Sequence, residues 1–188
     1  GDVYKRQVRA ASHFNQNGGH QTLIEFTPAT TSDLPKIVAI YNETIPTHQA
    51  TADLQPQTVA EKQAWFAAHN NHFPAWMIQV DHKIVGWLTL SAYSDRSAYD
   101  QTAEISLYLD VAARGHHVGS AALAFVDREA PKHDLTTVLA RIFGHNQASR
   151  NLFTKFGYDH WGHLPAIAIL PEGEADLEVY GKHFKSRA

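Results

Sequence analysis

Glu104, Ser106 and Tyr108 fall on alternate positions of one short stretch, separated by apolar Ala103, Ile105, Leu107 and Leu109. That period of two is the pattern of a half-buried strand, so the three polar side chains share one face. A carboxylate placed there can take a proton from an amine, and a phenol can orient a ligand or give a proton. Directly downstream, Arg114-Gly115-His116-His117-Val118-Gly119-Ser120 forms a glycine-bearing turn, and Ala122, Phe125 and Val126 then recur at helical spacing until Pro131. A strand that feeds a tight turn and then a helix start gathers free backbone N–H groups and the positive end of the helix dipole, which suits a phosphate or pyrophosphate.

The rest of the chain must supply the elements that hold this stretch. A short strand is expected over 23–26, then a helix capped by Ser32 whose apolar face carries Leu34, Ile37, Val38, Tyr41 and Ile45 and which stops at Pro46. A polar connection, placed to border a cleft, leads to a second helix over 58–69 with Val59, Trp65 and Phe66 on a partial stripe. Segments 76–80 and 84–90 read as a hairpin turning at Asp81-His82-Lys83. The polar loop 91–101 brings Arg96 and Tyr99 up to the central strand. Loops on rigid scaffolds commonly hold ligands, which makes these two residues recognition candidates.

After the central helix come a strand over 137–142 and a helix over 146–156 with Ser149, Leu152, Phe153 and Phe156 on one face, closed by Gly157. Strands over 158–170 and 175–180 follow, joined by Pro171-Glu172-Gly173. The sum is a mixed sheet on the border of the α/β and α+β classes, antiparallel at first and with a strand-helix-strand crossover at its middle. Strand ends part at such a crossover and leave a crevice for a ligand.

Length and composition narrow the functional classes. The 188 residues, 44% hydrophobic and 19% charged, suit one compact domain, expected over 22–184. Residues 1–21 are polar and lack either periodicity, and they read as a disordered or non-native leader. A net charge of −3 gives no basic footprint for nucleic acid, and no segment has the length and apolarity of a membrane span. Cysteine is absent, which removes thiolate chemistry and agrees with a cytoplasmic setting. The 13 histidines are scattered without a metal-ligand spacing, and no metal is assigned. Edge strands and exposed aromatics suit a homodimer.

These residues resemble the GNAT superfamily of acyl-CoA-dependent N-acetyltransferases, whose pyrophosphate loop follows Arg/Gln-x-x-Gly-x-Gly/Ala. The match is carried by Arg114, Gly115, Val118 and Gly119, and the loop departs at His117, where the pattern has glycine. The phosphinothricin acetyltransferase branch is the nearer likeness. It is carried by Ile40-Tyr41-Asn42-Glu43, Arg96-Ser97-Ala98-Tyr99, the run Thr102 to Tyr108, and Asn146, Ser149, Leu152 and Gly157-Tyr158 in that order. Two further departures are apolar Ala166-Ile167-Ala168-Ile169 before the last strand, and Phe153 where many members carry an acidic tyrosine.

The resemblance implies a single domain with a twisted, mostly antiparallel mixed sheet of six to seven strands flanked by about four helices. It implies acetyl-CoA as acyl donor and the primary amine of a small molecule, an amino acid or analogue, as acceptor. Glu104 is then the general base, with Tyr108 beside it in the catalytic centre. The implied cofactor contacts are Leu109 and Val111 along the strand, the loop from Arg114 through His116 and His117 to Ser120, and Asn146 with Ser149 on the later helix. Arg96 and Tyr99 would meet the acceptor, Arg96 through an acceptor carboxylate. Rival readings are a non-catalytic acyl-CoA sensor, transfer to a polyamine, an antibiotic or a protein N-terminus, and a nucleotide-binding α/β protein using the same turn.

Overall fold

The computed structural model describes residues 10–16 and 20–185, and the side chains from 22 onward. Among the described residues, eight strands form one sheet in the order β1-β2-β3-β4-β5-β6-β8-β7. They are β1 (Ala10–Gln16), β2 (His20–Pro28), β3 (Ala75–Val80), β4 (Lys83–Ala92), β5 (Thr102–Leu109), β6 (Thr137–Phe143), β7 (Asp159–Leu170) and β8 (Gly173–His183). Every neighbouring pair is antiparallel except β5 and β6, which are parallel and joined through a helix. The mixed, mostly antiparallel sheet is thus as the sequence implies. One strand is additional. Residues 10–16, set aside as part of the leader, pair with β2 from Ala10↔Phe26 to Gln16↔His20. The polar sequence carries no period-two signal there, and the pairing uses the backbone edge of β2, which composition does not report. Residues 1–9 and 17–19 lie outside the described residues.

Among the described residues, four helices flank the sheet: α1 (Leu34–Thr44), α2 (Val59–Ala67), α3 (Val118–Glu129) and α4 (Gln147–Lys155). The start of α1 differs from expectation in detail. Thr30 and Asp33 close a capping box around a short 3-10 turn over Thr31–Asp33, with the Thr30 N–H donating to Asp33 Oδ2 at 2.8 Å, so Ser32 is not the cap. Thr58 caps α2 and receives the Glu61 N–H at 3.2 Å.

The two faces of the sheet carry separate cores. On one, α3 buries Ala122, Phe125 and Val126 against Phe26, Trp76 and Leu90, and Phe26 stacks on Phe125 at 4.3 Å. On the other, α1 buries Leu34, Ile37, Ile40 and Tyr41 against Met77 and Trp87. Alternation along β5 links the two: Ala103 and Ile105 belong to the α3 core, and Tyr108 packs with the α1 core. The chain therefore sends Glu104, Ser106 and Tyr108 toward the α1–α2 side, the arrangement read from their spacing.

Four phenols sit in these cores, Tyr41, Tyr108, Tyr158 and Tyr180, and the first three are shifted. Tyr41 and Tyr158 are buried and burial pushes both well above the ordinary phenol value, helped at Tyr41 by its hydrogen bond to Asp53. Tyr108 is pushed up to about 12, chiefly by burial. The unfolded chain ionises its tyrosines near 10, before the folded one, and so binds fewer protons in that window. Stability is complete below pH ~10 and is lost as the pH climbs toward ~12. Thermal unfolding followed by circular dichroism across that range should give a melting temperature that falls steeply above pH ~10, and replacing Tyr108 with Phe should flatten part of the fall.

Candidate active site

The register of β5 dictates where a cleft opens. Against β4 it is paired along its whole length, from Ala103↔Ala92 to Leu109↔Gly86. Against β6 it is paired only from Thr102↔Thr137 to Glu104↔Leu139. Beyond Glu104 the strands part, because β6 follows β8 as far as Phe143↔Leu177. Backbone groups of β5 past Glu104 thereby lose the ladder partner on that side, and such groups must find another. Gly86 lets β4 hold β5 in place: a Cβ there would lie 2.6 Å from the Tyr108 carbonyl oxygen.

Two clefts occupy this parting. One, of about 440 Å3, lies between β5 and β6 and is lined by Glu104, Ser106, Tyr108, Arg141, Phe153 and Ile167 among others. The other, of about 490 Å3, runs from Leu107 and Leu109 to the start of α3, past Arg114, Gly115, Val118 and Ser120. They share Leu107, Tyr108, Asn146, Ser149 and Leu152 and so meet at one point on β5. Residues 49–52, between α1 and α2, cross over that junction. The strap is held from two sides: Tyr108 donates to the Ala50 carbonyl at 3.1 Å, and Asn146 Nδ2 donates to the Gln49 carbonyl at 3.1 Å.

Glu104 is a quarter exposed and faces Arg141 on β6, whose Nε and Nη2 donate to its two carboxylate oxygens at 2.6 and 2.9 Å. This forked pair fixes both carboxylate oxygens, and Glu104 in turn holds the Arg141 guanidinium in its charged form. An ionised carboxylate has about four acceptor directions, so two remain for a ligand or water in the cleft. Tyr108 stacks on Trp87 at 4.7 Å and meets Tyr41 edge-on at 5.0 Å. A phenol held at about 12 by burial, and further by the negative charge of Asp53 and Glu104, is a hydrogen-bond donor across ordinary pH and a weak acid.

The anion cradle at the start of α3 forms from the turn that the sequence singles out. A 3-10 turn over Val111–Ala113, with Asp110 accepting the Ala112 N–H at 3.0 Å, ends β5. Gly115 has φ 77° and His117 has φ 62°, both left-handed, so His117 adopts at the helix N-cap the conformation that glycine takes without cost. Val118 is buried and anchors the first turn of the helix. Gly119 lies where a Cβ would stand 3.0 Å from Leu152 Cδ2, which brings α3 close against α4 and keeps the cradle floor thin. Asn146 caps α4, accepting the Ser149 N–H at 3.2 Å.

Most of the residues singled out from sequence come together here, with four exceptions. Arg96 and Tyr99 are exposed in the loop before β5 and line neither cleft, Tyr99 packing edge-on against Tyr93 at 5.3 Å. The loop ends in a 3-10 turn over Ser97–Tyr99. Val111 is 56% exposed and its carbonyl accepts the Arg114 N–H, so β5 ends at Leu109 and offers no strand edge at Val111. His116 is exposed and lies off the cradle lining. The sequence reading missed Arg141; it placed the connection between α1 and α2 at a cleft without naming Gln49 to Thr51, and it singled out Ala166 to Ile169 without placing Ile167 and Ala168 in the cleft wall. Arg141 carried a usable signal: it is a lone charge on an otherwise apolar strand, Thr137–Phe143.

Comparison with known proteins agrees with this geometry. The description of the acetyltransferase (GNAT) family matches residues 37–158. YwnH of Bacillus subtilis (strain 168), which carries a phosphinothricin acetyltransferase name, is 38% identical over 151 residues, covering 80% of this chain and 93% of that protein. The crystal structure of an N-acetyltransferase from Staphylococcus aureus Mu50 superposes with a TM-score of 0.80 at 32% identity, over 86% of this chain and 99% of that one. A phosphinothricin acetyltransferase from Sinorhizobium meliloti, solved with acetyl-CoA, has the same fold, with a TM-score of 0.80 at 24% identity over 86% of this chain and 88% of that one. The chain belongs to the acetyltransferase (GNAT) family and is a phosphinothricin acetyltransferase-like, acyl-CoA-dependent N-acetyltransferase.

Proposed function

We propose that the protein transfers the acetyl group of acetyl-CoA to the primary amine of a small amino acid or amino-acid analogue, with Glu104 as general base. The observation that carries this reading is the meeting of the two clefts at Leu107 and Tyr108, one leading to an anion cradle and the other to a carboxylate. Acetyl-CoA supplies an activated thioester. Amides of the Gly115 to Ser120 turn are suited to its pyrophosphate, and the unpaired backbone of β5 up to Leu109 is suited to its amide-bearing arm as an added strand. Ser149 and Asn146 form the opposite wall.

An amine of lysine-like basicity, pKa ~10.4, is mostly ammonium at neutral pH and carries no lone pair for attack. Glu104, held by Arg141 with two acceptor directions open, receives that proton directly or through one water. The C–N bond forms and the C–S bond breaks, and of the two protons the nitrogen gives up, the one collected by Glu104 before attack and the one shed as the amide forms, one ends on the departing thiolate and the other in solvent. Tyr108 fits the orienting role better than the acidic one. A phenol at about 12 is two units weaker as an acid than an ordinary tyrosine at 10, while its O–H already bridges to the strap at Ala50. Phe153, buried in the cleft wall, adds shape and no proton.

The reading is tested by thiol release with a panel of amines, including phosphinothricin, in the presence of acetyl-CoA. Replacing Glu104 with Gln should lower kcat at neutral pH by ~100-fold or more and leave the Kd for acetyl-CoA within about twofold. The deficit should shrink as the pH approaches the pKa of the acceptor amine. Unchanged turnover in that variant removes Glu104 from the role of base. Release of thiol with no amine in the panel, alongside tight acetyl-CoA binding, would instead favour a sensor. At the cradle, Gly119→Asp should weaken acetyl-CoA binding ~10-fold or more by isothermal titration, through crowding near Leu152 and charge beside the phosphates; retained affinity would move the pyrophosphate elsewhere.

A further inference from the structure

A third niche, of about 160 Å3, lies between α1, α2 and the β4–β5 pair and opens beside the acceptor cleft, with which it shares Ser106 and Tyr108. Its walls are aromatic: Tyr41, Trp65, Trp87 and Tyr108. The rings fix one another, Trp65 edge-on to Trp87 at 5.3 Å and Trp87 stacked on Tyr108, while the Trp87 Nε1–H is used by the Ile37 carbonyl at 3.1 Å. One charge enters this box. Lys62 Nζ lies 5.1 Å from the centre of the Tyr41 ring and 5.9 Å from that of Trp65.

The setting of Lys62 differs from that of the lysines that form ion pairs. Lys132 and Lys182 each meet a carboxylate, at 2.9 and 2.8 Å. Among the described residues no carboxylate forms an ion pair with Lys62, although it is half-buried. The ring faces hold its charge in the niche and accept no conventional hydrogen bond, which leaves the donors of the ammonium for a ligand. Arg141, the other cation nearby, is already engaged by Glu104 through both arms of its fork. Arg96, the residue the sequence offered for an acceptor carboxylate, is exposed and off the cleft.

We propose that this niche is the subsite for the acidic group of the acceptor, with Lys62 as its cation. The inference rests on the amine-acetylation reading of the adjoining cleft and places the acceptor within it: the amine faces Glu104 and the acidic group enters the aromatic box beside Lys62. The low polarity of the box strengthens the charge pairing, and the edges of its rings, which carry partial positive charge, accept an anion beside Lys62. A cationic or purely apolar side group gains nothing comparable there.

The test compares the wild-type chain with Lys62→Met and Lys62→Arg in steady-state assays of four amines: phosphinothricin, its α-amide, methionine sulfone, and 3-(methylsulfonyl)propan-1-amine, which has no acidic group. The expected result is that Lys62→Met lowers kcat/KM for at least one acidic acceptor ~10-fold or more, largely through KM, with little change for the neutral amine, and that Lys62→Arg restores part of it. The α-amide and the sulfone separate a phosphinate site from a carboxylate site. Acetyl-CoA affinity and melting temperature should stay near wild type in Lys62→Met, which separates a binding role from a merely structural cation–ring contact. A folded Lys62→Met enzyme that keeps the full preference for acidic over neutral amines in every pair overturns the subsite while leaving the amine-acetylation reading standing. Failure of the wild-type chain to acetylate any amine overturns both.

Discussion

The parting of β5 from β6 after Glu104 is the constraint on which the rest of the site depends. Past Glu104 the two strands follow different neighbours: β5 stays with β4 to Leu109↔Gly86, whereas β6 runs with β8 to Phe143↔Leu177. The parallel ladder between them is confined to Thr102↔Thr137, Ala103↔Val138 and Glu104↔Leu139, and past it each strand keeps only its antiparallel partner. The gap that follows exposes backbone groups of β5 on one side and sets Glu104, the last paired residue, at its root. Helix starts lie around the gap, α3 with its turn at one end and α4 with its Asn146 cap at the other.

Polar ties then make the gap a site and keep it from collapsing. The Glu104–Arg141 fork spans the two parted strands and holds a charge across the cleft between them. The strap at Gln49 and Ala50 is tied to Asn146 and Tyr108, one residue from each wall. On the α1 side, Tyr41 bonds Thr51 at 2.5 Å and also Asp53, so the same strap is fixed to the aromatic core that forms the third niche. The Tyr41–Thr51 bond is buried with its partner close by, which is the condition for such groups to stiffen a structure without a large desolvation cost, while the Tyr108, Asn146 and Arg141 ties lie open to solvent.

Much of this was legible from residue order because it is local. The alternation from Ala103 to Leu109, the turn at Gly115 and the stripe on α3 are each set by neighbours within a few residues, and they gave the strand, the cradle and the face on which Glu104 stands. What could not be read was long-range. Strand β1 pairs through its backbone, so its side chains announce nothing. Arg141 reaches Glu104 across 37 positions of chain, and the Tyr108–Ala50 tie spans 58. Several of the 13 histidines, which composition alone left open, act as clamps: His72 bonds the His133 carbonyl at 2.7 Å, and His160 and His163 bond the two oxygens of buried Glu178 at 2.6 and 2.7 Å. The bulge between His160 and Gly162 puts both of those rings on one face, a feature no strict period of two contains.

The central claim is that the parted edge of β5 receives the acyl donor while the cradle at the start of α3 holds its phosphates. A crystal structure of the chain with acetyl-CoA tests it most directly. The pyrophosphate should lie on the amides between Gly115 and Ser120, the arm should pair with the main chain of β5 between Glu104 and Leu109, and the thioester should reach the junction beside Tyr108. A donor bound away from that edge, or β5 and β6 zipped together beyond Glu104 in the complex, would contradict it.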